Sequence, residues 1–97
     1  MSWHLLSLVY KKKAGSHVRK SILAYCADKA SDDGSGIWAS KATIAAELEC
    51  GRSTVIRTFK EFVSEGLLVV TGTRPCANGE TVEYAIREAA LAALPDV

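Results

Sequence analysis

The sequence predicts an α+β fold, a helical core followed by a C-terminal β-hairpin, and three observations predict it. Apolar residues recur at helical spacing in three segments between residues 17 and 65, each preceded by a residue suited to open a helix. Period-2 alternation replaces that pattern in "VEYAIR", 82–87, after the β-rich run "LLVVTGT", 67–73. The turn pair Asn78-Gly79 lies between those two β segments.

Each element follows from its residues. Trp3, Leu6 and Tyr10 stand close to helical spacing in a short apolar segment, 2–10. Lys11 to Gly15 reads as a solvated connector, with a phosphate-contacting arm as the lesser reading. Ser16 is the expected N-cap of a helix over 17–30, with Val18, Ile22 and Cys26 at every fourth position and Leu23 and Ala30 widening the stripe. "SDDGSG", 31–36, stops that helix, and Ile37-Trp38 is long enough only to pair at a sheet edge. Ser40 caps a second helix, about 41–49, facing inward with Ile44, Ala45 and Leu48. A third helix, about 52–65, buries Val55, Phe59, Phe62 and Val63 and ends at Gly66, a natural left-handed terminator. "RPCANGE" joins the strands as a long-looped hairpin, and "EAALAALPDV" is helix-capable until Pro95.

Helix, short strand, helix, helix, strand, strand is the order of a winged helix-turn-helix. The expected boundaries are one domain over 1–97, the helix-turn-helix at about 40–65, the wing at about 67–87 and a helical tail at 88–94. The length allows a single core and no second one.

Composition narrows the function classes. A net charge of +1 neither demands nor excludes a nucleic-acid partner, because clustering rather than the sum sets the local field. No apolar run approaches the ~20 residues that span a bilayer, so no membrane partner is expected. The opening "MSWHLLSLVYKKK" has its positive charges after the apolar stretch, the reverse of a secretory signal. Cys26, Cys50 and Cys76 form no C-x-x-C pair and leave an odd thiol in any disulfide scheme, so a reduced, cytoplasmic setting is expected. Metal binding would have to recruit His4 or His17 at no recognised spacing. Neither metal nor cofactor is expected, and Cys26 and Cys50 are read as small buried hydrophobes. There is no Gly-rich phosphate loop and no Ser/His/Asp or Cys/His arrangement, so an enzyme is not expected.

The chemistry gathers on the third helix. At about 100° per residue, Ser53, Ile56, Arg57, Lys60 and Ser64 share the face opposite Val55, Phe59 and Phe62. Arg52, Ser53 and Thr54 lie in the first turn, the part that meets base edges when such a helix enters the major groove. A guanidinium bonds bidentately to guanine, while lysine usually finds phosphate. Ile56 either touches a thymine methyl or packs under the wing. Ser40, Lys41 and Thr43, at the start of the second helix, are expected to hold the DNA backbone. Arg74 and Asn78, near the hairpin tip, either reach the DNA or form a plain turn. Basic residues on one face also occur on helices that are merely solvated. The order of the elements favours DNA.

The segment Asp32 to Leu68 resembles the helix-turn-helix domain at the N-terminus of phage and plasmid replication proteins and of related bacterial regulators. The residues that carry the resemblance are Asp33-Gly34, Trp38, Ser40, Ile44-Ala45, Thr54-Val55, Arg57 and Gly66-Leu67-Leu68. It implies a winged helix, sequence-specific binding of double-stranded DNA in replication initiation or transcription regulation, and a bacterial or phage-encoded protein. Three departures from it stand out. Glu49 replaces the turn's usual glycine, Gly51 replaces the capping serine, and Val82-Glu83 replaces Asn-Arg before the tyrosine. The rival expectation is a winged helix that serves protein–protein interaction without DNA contact. The tail, Glu88 to Leu94, would then pair a homodimer or lead into a further C-terminal domain or partner protein.

Overall fold

Serine hydroxyls set where three helices begin. Ser2, Ser16 and Ser40 accept from the N–H groups of Leu5, Arg19 and Thr43, at the starts of α1 (Trp3–Lys11), α2 (His17–Lys29) and α3 (Lys41–Leu48). Each satisfies a donor that the helix cannot, worth about 1 kcal/mol. Next come α4 (Arg52–Glu65), β1 (Leu68–Cys76), β2 (Gly79–Ile86) and the short α5 (Glu88–Ala92). The computed structural model describes residues 2–76 and 79–97, and for residues 76, 79 and 80 the backbone alone.

One buried cluster unites the elements. Leu5 and Val9 of α1, Ile22, Leu23 and Cys26 of α2, Ile44 of α3, Val55, Phe59 and Phe62 of α4, and Tyr84 and Ile86 of β2 all join it. Burial pushes the Cys26 thiol up to about 12, so it behaves as an inert hydrophobe. Two stripe residues depart from expectation. Val18 is 41% exposed and Val63 is 39% exposed. Val18 sits in the first turn of α2, before the stripe reaches the core, and from that turn it is Arg19 that reaches α4. Val63 lies one step off the 55–59–62 line, and Thr58 is buried in its stead, at 3% exposure.

The hairpin is longer than expected. β1 and β2 pair antiparallel from Leu68↔Ile86 out to Cys76↔Gly79, so most of "RPCANGE" is strand rather than loop. Pro75 is tolerated because β1 is an edge strand. Ile37 pairs with the other side of β2, exchanging hydrogen bonds with Tyr84 of 3.1 and 2.9 Å, the edge pairing expected of Ile37-Trp38. Gly34 secures the same strand end. Its carbonyl accepts from Ile86 N–H at 2.8 Å, and a Cβ at Gly34 would meet Ile86 O at 2.2 Å.

The termini close on each other. Leu91 of α5 is fully buried beside α1, Lys13 N–H donates to Pro95 O at 2.8 Å, and Val97 N–H donates to Lys11 O at 2.9 Å. The connector is therefore not wholly solvated: the Lys12 side chain is 14% exposed and its ammonium reaches Asp96 at 2.6 Å. The tail spends its apolar residue Leu91 inside its own chain, and its helix ends at Ala92 rather than 94.

Candidate nucleic-acid interface

The turn between α3 and α4 is built without a glycine at its tightest point. Glu49 adopts the left-handed conformation, φ 57°, which lets Cys50 N–H close back on Ala45 O at 3.0 Å. Gly66 does the same at the end of α4, φ 81°, where Leu67 N–H returns to Phe62 O at 2.9 Å. Gly66 has no Cβ to crowd the carbonyl, whereas Glu49 carries that strain and a negative charge. Gly51 is the N-cap of α4 and offers no side-chain hydrogen bond, leaving that helix's first N–H groups available.

α4 turns opposite chemistries to its two sides. Val55, Thr58, Phe59 and Phe62 are buried, while Arg52, Ser53, Arg57 and Lys60 are exposed and Thr54 and Ile56 are half-buried. The Arg57 side chain is 69% exposed, with its Nε 4.0 Å from Glu61, too loose a pair to hold it. Glu61 and Glu65 are engaged from the other direction. Arg19 Nη1 donates to Glu61 at 2.7 Å and to Glu65 at 2.9 Å, and Nη2 donates to Glu65 at 2.5 Å. The same guanidinium stacks 4.8 Å above the Phe62 ring and donates through Nε to Ala14 O at 2.6 Å. Its bonds to Glu65 hold it above its ordinary value. A single guanidinium from α2 thus draws both carboxylates of α4 toward α2 and offsets one of their two charges, while Arg52, Arg57 and Lys60 stay exposed on the outer face.

The start of α3 is arranged differently from expectation. Ser40 Oγ donates to Thr43 Oγ1 at 2.9 Å while accepting from Thr43 N–H at 3.1 Å, and both residues are exposed. Lys41 instead folds back. Its ammonium donates to the Tyr84 hydroxyl at 2.6 Å and lies 4.2 Å above the Tyr84 ring and 4.8 Å above the Phe59 ring. Those two rings meet edge to face, with centroids 4.9 Å apart. Lys41 therefore ties α3, α4 and β2 together rather than extending freely toward a phosphate.

Arg74 is also held. Its guanidinium carbon stacks 3.7 Å above the Trp38 ring, which couples the wing to the residues leading into α3. Trp38 and Arg19 are positioning residues that spacing alone did not reveal, because both act across large separations in sequence. Asn78 lies outside the described residues. No helix of the described residues is long and apolar enough to cross a membrane.

Three packed helices, a helix-turn-helix made by α3 and α4, and a hairpin wing define the chain as a winged helix-turn-helix. It matches the model of a family described as a helix-turn-helix domain over residues 16–68, more than half its length, and belongs to that family. The match runs from the N-cap of α2 to the first residue of β1, so it spans α2, α3 and α4. It supports DNA as the partner. No curated protein and no solved structure matches the chain.

Proposed function

We propose that the chain is a sequence-specific binder of double-stranded DNA, with α4 lying in the major groove, rather than an enzyme. The observation that carries this reading is the exposed basic face of α4, opposite its buried stripe in a helix-turn-helix. Arg52, Ser53, Thr54 and Arg57 are assigned to base edges and Lys60 to phosphate, with Ile56 available to a thymine methyl. Ser40 and Thr43 contact the backbone through their hydroxyls. Lys41 braces the reader helix through the Phe59 and Tyr84 rings, and Arg74 holds the wing against Trp38. The resemblance to N-terminal domains of phage and plasmid replication proteins favours a role in replication initiation, with transcription regulation as the other assignment.

Selection from random duplex DNA tests this reading. The expected result is a recovered motif of one groove-width, with its symmetry reporting whether one or two chains bind. Recovery of no motif would leave the basic face without a reading function. The second assignment is a protein–protein module, supported by the exposed aromatics of α1, Trp3 at 73% and Tyr10 at 61%. Light scattering on the wild type and a Trp3→Ser/Tyr10→Ser variant tests it. A dimer that dissociates in the variant supports docking through α1, and a wild-type monomer removes it.

A further inference from the structure

An open groove of about 490 Å³ runs between α4 and the wing. Small-molecule sites commonly measure about 300–1,000 Å³ and combine apolar walls with a few polar anchors. Ile56 and Val63 form one wall, Val70 of β1 the other, and the Phe59 and Tyr84 rings lie between. Val63 and Val70 are 39% and 50% exposed, so the walls are apolar surface left open to water.

Two lysines, Lys41 and Lys60, line the groove. Among the described residues no carboxylate pairs with either. Lys41 is half-buried, spends one N–H on the Tyr84 hydroxyl and otherwise rests on two aromatic rings. A cation taken partly out of water without a counter-ion costs free energy that an incoming anion recovers. Apolar walls and unpaired ammonium groups together complement one chemistry, a small amphipathic anion.

We propose that this groove binds a small aromatic or branched aliphatic carboxylate. The carboxylate lies between Lys41 and Lys60, and the apolar body rests against Ile56, Val63 and Val70. A ligand there covers Ile56 and Lys60, so its binding and DNA binding exclude each other. That consequence rests on the DNA reading of α4, whereas the site itself does not.

The test uses the full chain and 1-naphthoate as probe, followed by backbone amide NMR without DNA. The expected result is saturable shifts confined to residues around Ile56, Val63 and Val70. Lys60→Met weakens binding about tenfold, and neutral 1-naphthalenemethanol binds about tenfold more weakly than the carboxylate. Val70→Trp fills the groove from an exposed position and abolishes binding. Shifts scattered over the surface, equal binding of the neutral analogue, or unchanged binding in Val70→Trp would overturn the site. A second arm adds a duplex that the chain binds. Displacement of DNA by naphthoate supports the exclusion. Simultaneous binding with the groove shifts intact overturns the exclusion and the placement of DNA on α4, while the site stands.

Discussion

Arg19 on α2 grips Glu65 at the end of α4 through two hydrogen bonds, of 2.9 Å from Nη1 and 2.5 Å from Nη2. The Arg19 side chain is only 18% exposed and also engages Glu61, so the contact is partly shielded from solvent on the arginine's side. It fixes the reader helix against the helix behind it. Arg19→Met should lower stability by about 2 kcal/mol, the range for hydrogen bonds to charged groups. Urea unfolding with an unchanged slope checks this. Arg19→Lys should not restore the loss, because an ammonium cannot reproduce the planar fork. A change within about 0.5 kcal/mol, the usual effect at a surface position, would mean that the clamp is ornamental.

The two glycines before Ile37 make a controlled pair. Gly34 and Gly36 both have φ near +89°, but a Cβ at Gly34 meets Ile86 O at 2.2 Å whereas at Gly36 the nearest atom is Ser31 Oγ at 3.8 Å. Gly36→Ala should therefore cost only the backbone term, about 1 kcal/mol. Gly34→Ala should cost about 1–3 kcal/mol more, from overpacking against the β2 backbone. Equal losses would mean that the loop does not dock on β2.

Glu49 lets stability and function be altered together. Glu49→Gly relieves a left-handed non-glycine residue and should stabilise the fold by about 1 kcal/mol. It also removes a carboxylate from the turn before α4, so DNA affinity should rise. Glu49→Ala separates the two effects, gaining affinity without gaining stability. Loss of affinity in both variants would show that the carboxylate contributes to recognition rather than opposing it.

Acid should weaken the fold through two surface carboxylates. Asp33 accepts from the Ser35 hydroxyl at 2.6 Å and from Ser35 N–H at 3.0 Å, and Asp96 accepts from Lys12 at 2.6 Å. These side-chain hydrogen bonds hold both groups below the usual carboxylate range. A lowered folded value means that the stabilisation is complete above the unfolded aspartate value near 3.9 and is lost as pH falls through the folded one. Urea midpoints should be steady near neutrality and fall below about pH 4. An Asp33→Asn/Asp96→Asn variant should start lower at neutral pH and lose less in acid. An identical acid profile in the variant would contradict this account.

Local chemistry made much of the fold legible. The serine caps, the stop at Gly66 and the two faces of α4 follow from residues within one or two turns of each other. The winged helix-turn-helix order follows from them. Long-range partners were not legible. Lys41 turns to Tyr84, 43 residues away, and Arg74 turns to Trp38, so Lys41, expected at the DNA backbone, and Arg74, left between DNA contact and a plain turn, have partners inside the fold. The hairpin was misread because Pro75 and the polar residues beside it look like a loop, yet an edge strand accommodates them. The docking of the helical tail through Leu91 was not legible, because it depends on α1, a helix whose apolar segment is short.

The salt dependence of DNA affinity, followed by fluorescence anisotropy on the selected duplex, tests the central claim most directly. The account predicts that the logarithm of the binding constant falls linearly with the logarithm of salt, by about 0.9 per phosphate contact. The Arg57→Ala/Lys60→Ala variant, altered only at exposed positions, should stay folded by circular dichroism and bind about 100-fold more weakly. A flat salt profile, or a folded double variant that binds as tightly as the wild type, would contradict it.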